Sequence, residues 1–104
     1  MYATIRRYDG IDQAHTDELT KKVGESLAPK LSKLPGFSSY FLIDTGNGVL
    51  TSVSFFDTPA QADESSKIAS GWVREQKLDS VLPNAPKITS GEIVVHETRE
   101  LVKA

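Results

Sequence analysis

The stretch FSSYFLIDTGNGVLTSVSFF, residues 37 to 56, limits the possible fold more than any other part of the chain. Two runs rich in β-branched and aromatic residues, 37–45 and 49–56, flank Gly46-Asn47-Gly48. Asn-Gly between such runs is a strong hairpin signal, because both residues tolerate the positive φ of a tight turn. Alternation puts Phe37, Ser39, Phe41 and Ile43 on one face of the first strand, and Ser38, Tyr40, Leu42 and Asp44 on the other. The second strand splits into Val49, Thr51, Val53 and Phe55 against Leu50, Ser52, Ser54 and Phe56. Both faces carry large apolar groups, so both sides of the sheet require cover.

The same stretch contains Asp44-Thr45-Gly46, the short signature of retroviral-type aspartic proteases. That mechanism needs Asp44 from two subunits to share a proton, on an almost all-β chain with the triplet in a wide loop. Here Gly46 runs straight into a hairpin turn and much of the chain reads as helix, so the triplet is expected to be a connection whose Asp44 bonds turn amides. A dinucleotide-binding glycine loop fails too: the third glycine position falls on Thr51, and a strand follows instead of a helix N-terminus.

Around the hairpin, YATIRRY at 2–8 reads as a strand ending at the turn pair Asp9-Gly10. Leu19, Val23, Leu27, Leu31 and Leu34 recur at spacings of four and three, predicting a helix over about 14–34, favoured at its start by Asp17 and Glu18 and kinked or restarted at Pro29. Asp57-Thr58-Pro59 reads as a cap followed by the first helical residue, opening a second helix over about 59–82, with Ala62, Ser66, Ala69, Val73 and Gln76 on one face and a weak point at Gly71. ITSGEIVVHE at 88–97 closes as a strand. The order is β-α-β-β-α-β: an α+β, ferredoxin-like domain over 1–97 with an antiparallel four-stranded sheet, then a charged C-terminal tail at 98–104 expected to fray.

Two helices on one side shield only one face of such a sheet, which predicts a partner sheet, most simply from a second copy of the chain. The 104 residues include no cysteine, so disulfides and thiolate metal sites are excluded and association is the remaining aid for a small core. Twelve basic residues scattered among fourteen acidic ones, for a net charge of -2, give no electrostatic reason to expect nucleic acid or a membrane surface. No apolar run approaches the roughly 20 residues of a membrane span, and the N-terminus lacks a signal-peptide pattern, so a cytoplasmic protein is expected.

The element order is shared with RNA-recognition motifs, but without a basic face Phe55 and Phe56 read as core and interface residues. His15 and His96, the only histidines, lie near opposite ends of the chain, so no metal site is expected. The polar residues that can converge between sheet and helices are Arg6 or Arg7, Tyr40, Ser52, Ser54 and Trp72. Arg holds an anionic or enolate oxygen, Tyr and Ser donate hydrogen bonds, and Trp offers a flat wall to an aromatic ligand.

Nearly the whole chain also resembles a known group, the dimeric α+β-barrel proteins of the antibiotic-biosynthesis-monooxygenase type. The likeness rests on YATIRRY, on LAPKLSKLPGFSSYFLID with its Pro35-Gly36-Phe37 lead into a strand, on SVSFFDTPAQADES, on ASGWVRE and on GEIVVHE. It implies a homodimer formed through the sheet faces, with a pocket between sheet and helices in each subunit. It also implies activities ranging from cofactor-independent oxidation of polyketide aromatics, in which the substrate carbanion itself reduces oxygen, to haem degradation, lactone isomerisation or none. The haem-degrading branch wants an Asn on the first strand and a His late on the second helix. Trp72 fits that branch, but Thr4, Arg6, Gln76, Lys77 and Leu82 do not. The expectation is therefore a pocket for a small molecule without a bound cofactor, with Arg6 on the substrate's oxyanion, Trp72 against its rings and Tyr40 or Ser52 orienting it. A non-catalytic binding or interaction module is the alternative.

Overall fold

The computed structural model describes residues 1–78 and 80–97; the tail at 98–104 lies outside the described residues. Strands β1 (Tyr2–Tyr8), β2 (Phe37–Gly46), β3 (Val49–Phe56) and β4 (Lys87–Glu92) form one antiparallel sheet in the order β2-β3-β1-β4. Helices α1 (Gln13–Lys22), α2 (Ala28–Ser32) and α3 (Pro59–Glu75) lie against one face. This is the α+β, ferredoxin-like arrangement expected from the sequence.

The first helix begins earlier than expected, because Asp12 caps it and its carboxylate accepts the Ala14 N–H at 3.0 Å. Pro29 does not break the helix. A π turn, Val23–Leu27, joins α1 to α2, so the position left without an N–H is absorbed by wider winding. Leu19, Val23, Leu27 and Leu31 all enter the core; Leu31 is 1 % exposed, a burial worth about 1.5–3 kcal/mol.

At the hairpin, Asn47 and Gly48 have φ of 57° and 75°, the paired positive values of a two-residue turn. Gly48 is required for a second reason: its carbonyl accepts the Ile11 N–H at 3.1 Å, and a Cβ there would meet the Ile11 carbonyl oxygen at 2.2 Å. The turn thus anchors the start of α1 to the sheet.

Of the two residues expected to cap the second helix, Asp57 and Thr58, it is Thr58 that does so, with Pro59 in the first turn as expected; Gln61 adds a reciprocal bond that completes a capping box. The helix passes through Gly71 but stops at Glu75, not near Leu82. Lys77 takes φ 56°, its N–H bonds Arg74 O at 3.1 Å, and Leu78 N–H bonds Val73 O at 3.1 Å, a Schellman stop that seats Leu78 in the core. The inward face of α3 is Ala62, Ser65, Ala69 and Trp72, one residue round from the expected stripe; Gln76 is exposed. β4 ends at Glu92, short of the expected His96-Glu97.

Cross-strand register assigns the faces. Thr4, Arg6, Tyr40, Leu42, Leu50, Ser52, Ser54 and Phe56 point to the helices. A bulge between Phe37 and Ser39 reverses the expected phase of Phe37, which instead packs edge-on against Phe56 with ring centres 5.7 Å apart. On the opposite face Ala3, Ile5, Phe41, Ile43, Val53 and Phe55 form an apolar surface that no described element covers; Phe41 is 54 % exposed.

Candidate functional site

The sheet brings polar groups to its covered side. Thr4, Arg6, Ser52 and Ser54 are each at most 4 % exposed, on the inner positions of β1 and β3. Such placement is costly unless each group finds a partner.

Arg6 is the extreme case. Its Nη2 donates to Ser66 Oγ on α3, and Ser66 Oγ in turn donates to the Ala62 carbonyl at 3.1 Å, which leaves the Ser66 lone pairs for the guanidinium. Among the described residues no carboxylate pairs with Arg6, although the neighbouring Arg7 pairs with Asp9 at 3.1 Å at the surface. A buried guanidinium without a counter-charge makes the region around it electropositive and attractive to an anion.

Arg6 faces a narrow cavity of about 40 Å³ between sheet and helices, lined also by Tyr8, Tyr40, Ser52 and Trp72. Apolar side chains from α1, the π turn, β2, β3, α3 and the connection after α3 complete its wall. As it stands, it has room for no more than a few waters or a small anion. An aromatic ring does not fit without movement of the walls.

Trp72 is 2 % exposed and fixed at both ends: its ring packs in the core, and its indole N–H donates to Ser26 Oγ on the π turn at 2.9 Å. The π turn therefore sets the orientation of the flat wall of the cavity. Loss of water pushes the Tyr40 phenol up to about 12; Tyr8 adds to this, while the Ser52 hydroxyl and Arg6 act the other way. Burial likewise raises Tyr8, against the opposing field of Arg6. Both phenols are neutral hydrogen-bond donors at physiological pH. The ionisable groups lining the cavity are Arg6, Tyr8 and Tyr40; none is a carboxylate or an imidazole.

Four of the five residues singled out in the sequence, Arg6, Tyr40, Ser52 and Trp72, thus face one cavity. Ser54 does not: it lies on the inner side of β3 between Thr4 and Tyr40, 2 % exposed, with Oγ lacking a hydrogen-bond partner among the described residues. Arg7 points to the opposite face. Three contributors were not anticipated. Tyr8 follows Arg6 by two residues on the same strand face, a signal present in the alternation. Ser26 reaches the site only through the π turn, and Ser66, expected on the inward face of the second helix, joins it as the acceptor of the Arg6 guanidinium. Asp44 bonds the Gly46 amide at 2.8 Å and is exposed at the hairpin, as expected of a turn residue.

No protein-family model matches the sequence, and no curated protein matches it significantly. Solved structures do match in fold. A monooxygenase from the gene ActVA-Orf6 of Streptomyces coelicolor, in complex with Nanaomycin D, is 14% identical at TM-score 0.73, covering 95% of this chain and 92% of that one. The haem-degrader MhuD of Mycobacterium tuberculosis, with two haems bound in its active site, is 15% identical at TM-score 0.72, covering 94% and 100%. A Nitrosomonas europaea protein of unknown function, NE2512, is 16% identical at TM-score 0.75, covering 95% and 94%. The chain has the fold of the antibiotic-biosynthesis-monooxygenase type.

Proposed function

We propose that two copies of this chain pair through their bare sheet faces and that each binds a small, aromatic, polyketide-like molecule with an ionised oxygen between sheet and helices. In this reading the molecule is oxidised by molecular oxygen in the cytoplasm, without metal or flavin. The observation that carries the reading is Arg6, a buried guanidinium with no carboxylate partner among the described residues, facing the cavity that Trp72 walls. The fold shared with a monooxygenase in complex with Nanaomycin D supports it.

The residues divide the work as follows. Arg6 holds the oxyanion and stabilises the enolate or phenolate, Trp72 stacks on the rings, and Tyr40 and Ser52 donate hydrogen bonds that fix orientation. No lining group has the pKa of a general base, so the substrate itself must be acidic enough to ionise in the field of Arg6. Electrons then come from the substrate: a ring methylene becomes a carbonyl, one oxygen atom enters the product and the other leaves as water. The reading does not extend to haem, because no histidine lines the cavity to hold its iron.

Oxygen uptake with a panel of hydroxylated naphthalenes and anthrones tests the reaction. Uptake above the buffer rate that disappears in Arg6→Met is the expected result. The lack of a lining carboxylate or imidazole favours a second reading, a non-catalytic binding module, which would give ligand binding with no uptake.

A further inference from the structure

The cavity beside Arg6 is too small for the molecule proposed above, and the structure shows where the remaining space lies. A wider cleft of about 420 Å³ opens beyond it, bounded by Ser70 and Arg74 of α3 and by Pro83, Asn84, Ala85 and Pro86. Tyr8, Val73 and Leu82 line both spaces, so these three side chains are the partition between them.

The three differ in their setting. Tyr8 is held on β1 and Val73 on α3, whereas Leu82 lies on the connection between α3 and β4. The backbone of that connection is tied down at Leu82 itself and after it, which leaves the Leu82 side chain as the part that can swing. Leu78 is buried and accepts the N–H groups of Val81 and Leu82, each at 2.9 Å. Asn84 Nδ2 donates to the Asp9 carboxylate at 2.9 Å, packed so closely over Gly10 that a Cβ there would approach it to 2.6 Å. Leu82, partly buried, is the partition residue that belongs to neither a strand nor a helix.

Resting on the ligand reading above, we propose that the inner cavity and the outer cleft are two compartments of one binding site, with Leu82 as the gate. The ligand carries its acidic oxygen at one end, on Arg6, and a fused-ring or longer apolar body that reaches past Leu82 into the outer cleft. Its length is thereby specified: a single-ring acid leaves the outer cleft empty, and an uncharged hydrocarbon leaves Arg6 unpaired.

Trp72 is the only tryptophan and lines the inner cavity, so its emission reports occupancy directly. Stopped-flow titration with 2-naphthoate, benzoate and 2-methylnaphthalene, on the wild type, Leu82→Ala and Leu82→Phe, tests the gate. The proposal expects 2-naphthoate to bind most tightly. It expects Leu82→Ala to speed 2-naphthoate association by about tenfold, because the open state is no longer a minor fraction, and Leu82→Phe to slow it. Acrylamide quenching of Trp72 in the free protein should rise in Leu82→Ala as well. If 2-naphthoate binds through Arg6 at rates indifferent to residue 82, the gate is refuted and the ligand reading stands. If benzoate binds as well as 2-naphthoate, the two-compartment site is refuted. If neither acid perturbs Trp72 in any variant, both readings fail together.

Discussion

The two faces of this sheet have the chemistry each other's surroundings would suggest. The face under the helices carries Thr4, Arg6, Ser52 and Ser54, all at most 4 % exposed, while the face that no described element covers carries Ile5, Phe41 and Ile43 at 39, 54 and 46 % exposure. A fold built only for its own stability would have little use for four polar side chains set among Leu50 and Phe56 on the covered face, or for large apolar ones left bare on the other, since buried polar groups cost free energy and exposed apolar ones gain nothing. In the proposed reading the contrast separates two tasks: the polar groups within the covered face serve a ligand, and the apolar bare face serves a second copy.

The largest expected effect lies on the bare face. Charging it with the pair Phe41→Arg and Ile43→Asp should weaken self-association by on the order of a hundredfold or more, read by light scattering, with helix content unchanged. A wild type that is already monomeric at micromolar concentration would break the comparison at that side.

The covered face gives smaller, more selective effects. Tyr40 ionises near 10 when unfolded and at about 12 when folded, because burial disfavours its phenolate. The folded state therefore keeps a proton that the unfolded state has lost, and stability falls as pH rises from about 10 to 12. Tyr40→Phe should flatten that decline in denaturation measurements, and tyrosinate absorbance should show one late-titrating phenol fewer. An unchanged alkaline profile would mean the phenol is better hydrated than its position implies.

Next comes Ser26→Ala, which leaves the buried Trp72 N–H without its acceptor and should destabilise by about 1–3 kcal/mol, with a shift in Trp72 emission. Smallest is Ser54→Ala. Its Oγ has no partner among the described residues and lines neither the inner cavity nor the outer cleft, so the substitution should be neutral or stabilising by about 1 kcal/mol and leave ligand binding intact. By contrast Ser52→Ala should weaken binding. Equal effects of Ser52→Ala and Ser54→Ala on binding would remove the distinction between cavity and packing on this face.

Much of this was legible in the residues. Asn47-Gly48 fixed the hairpin, Thr58-Pro59 the start of α3, and the leucine spacing the buried side of the first helix, because each is a local rule that tertiary contacts reinforce. Positions that escaped depend on backbone states without a sequence mark. Lys77 adopts a left-handed conformation usually left to glycine, so nothing signalled the end of α3 at Glu75. The bulge that turns Phe37 inward and the π turn that brings Ser26 to Trp72 are likewise choices of packing. In the site, strand alternation was enough to find Arg6, Tyr40 and Ser52, and the same rule applied one step further reaches Tyr8. Periodicity had put Ser66 on the inward face of the helix without naming its partner Arg6, and Leu82 needs the course of the chain after α3, which periodicity does not encode.

The most direct test of the division between the faces is the stability and ligand binding of Arg6→Met, measured side by side. If Arg6 is a buried charge kept for an anionic ligand, a thioether of similar length removes an uncompensated guanidinium, so Tm should hold or rise while 2-naphthoate binding is lost. A large fall in Tm with binding retained would make Arg6 a structural residue and contradict the account.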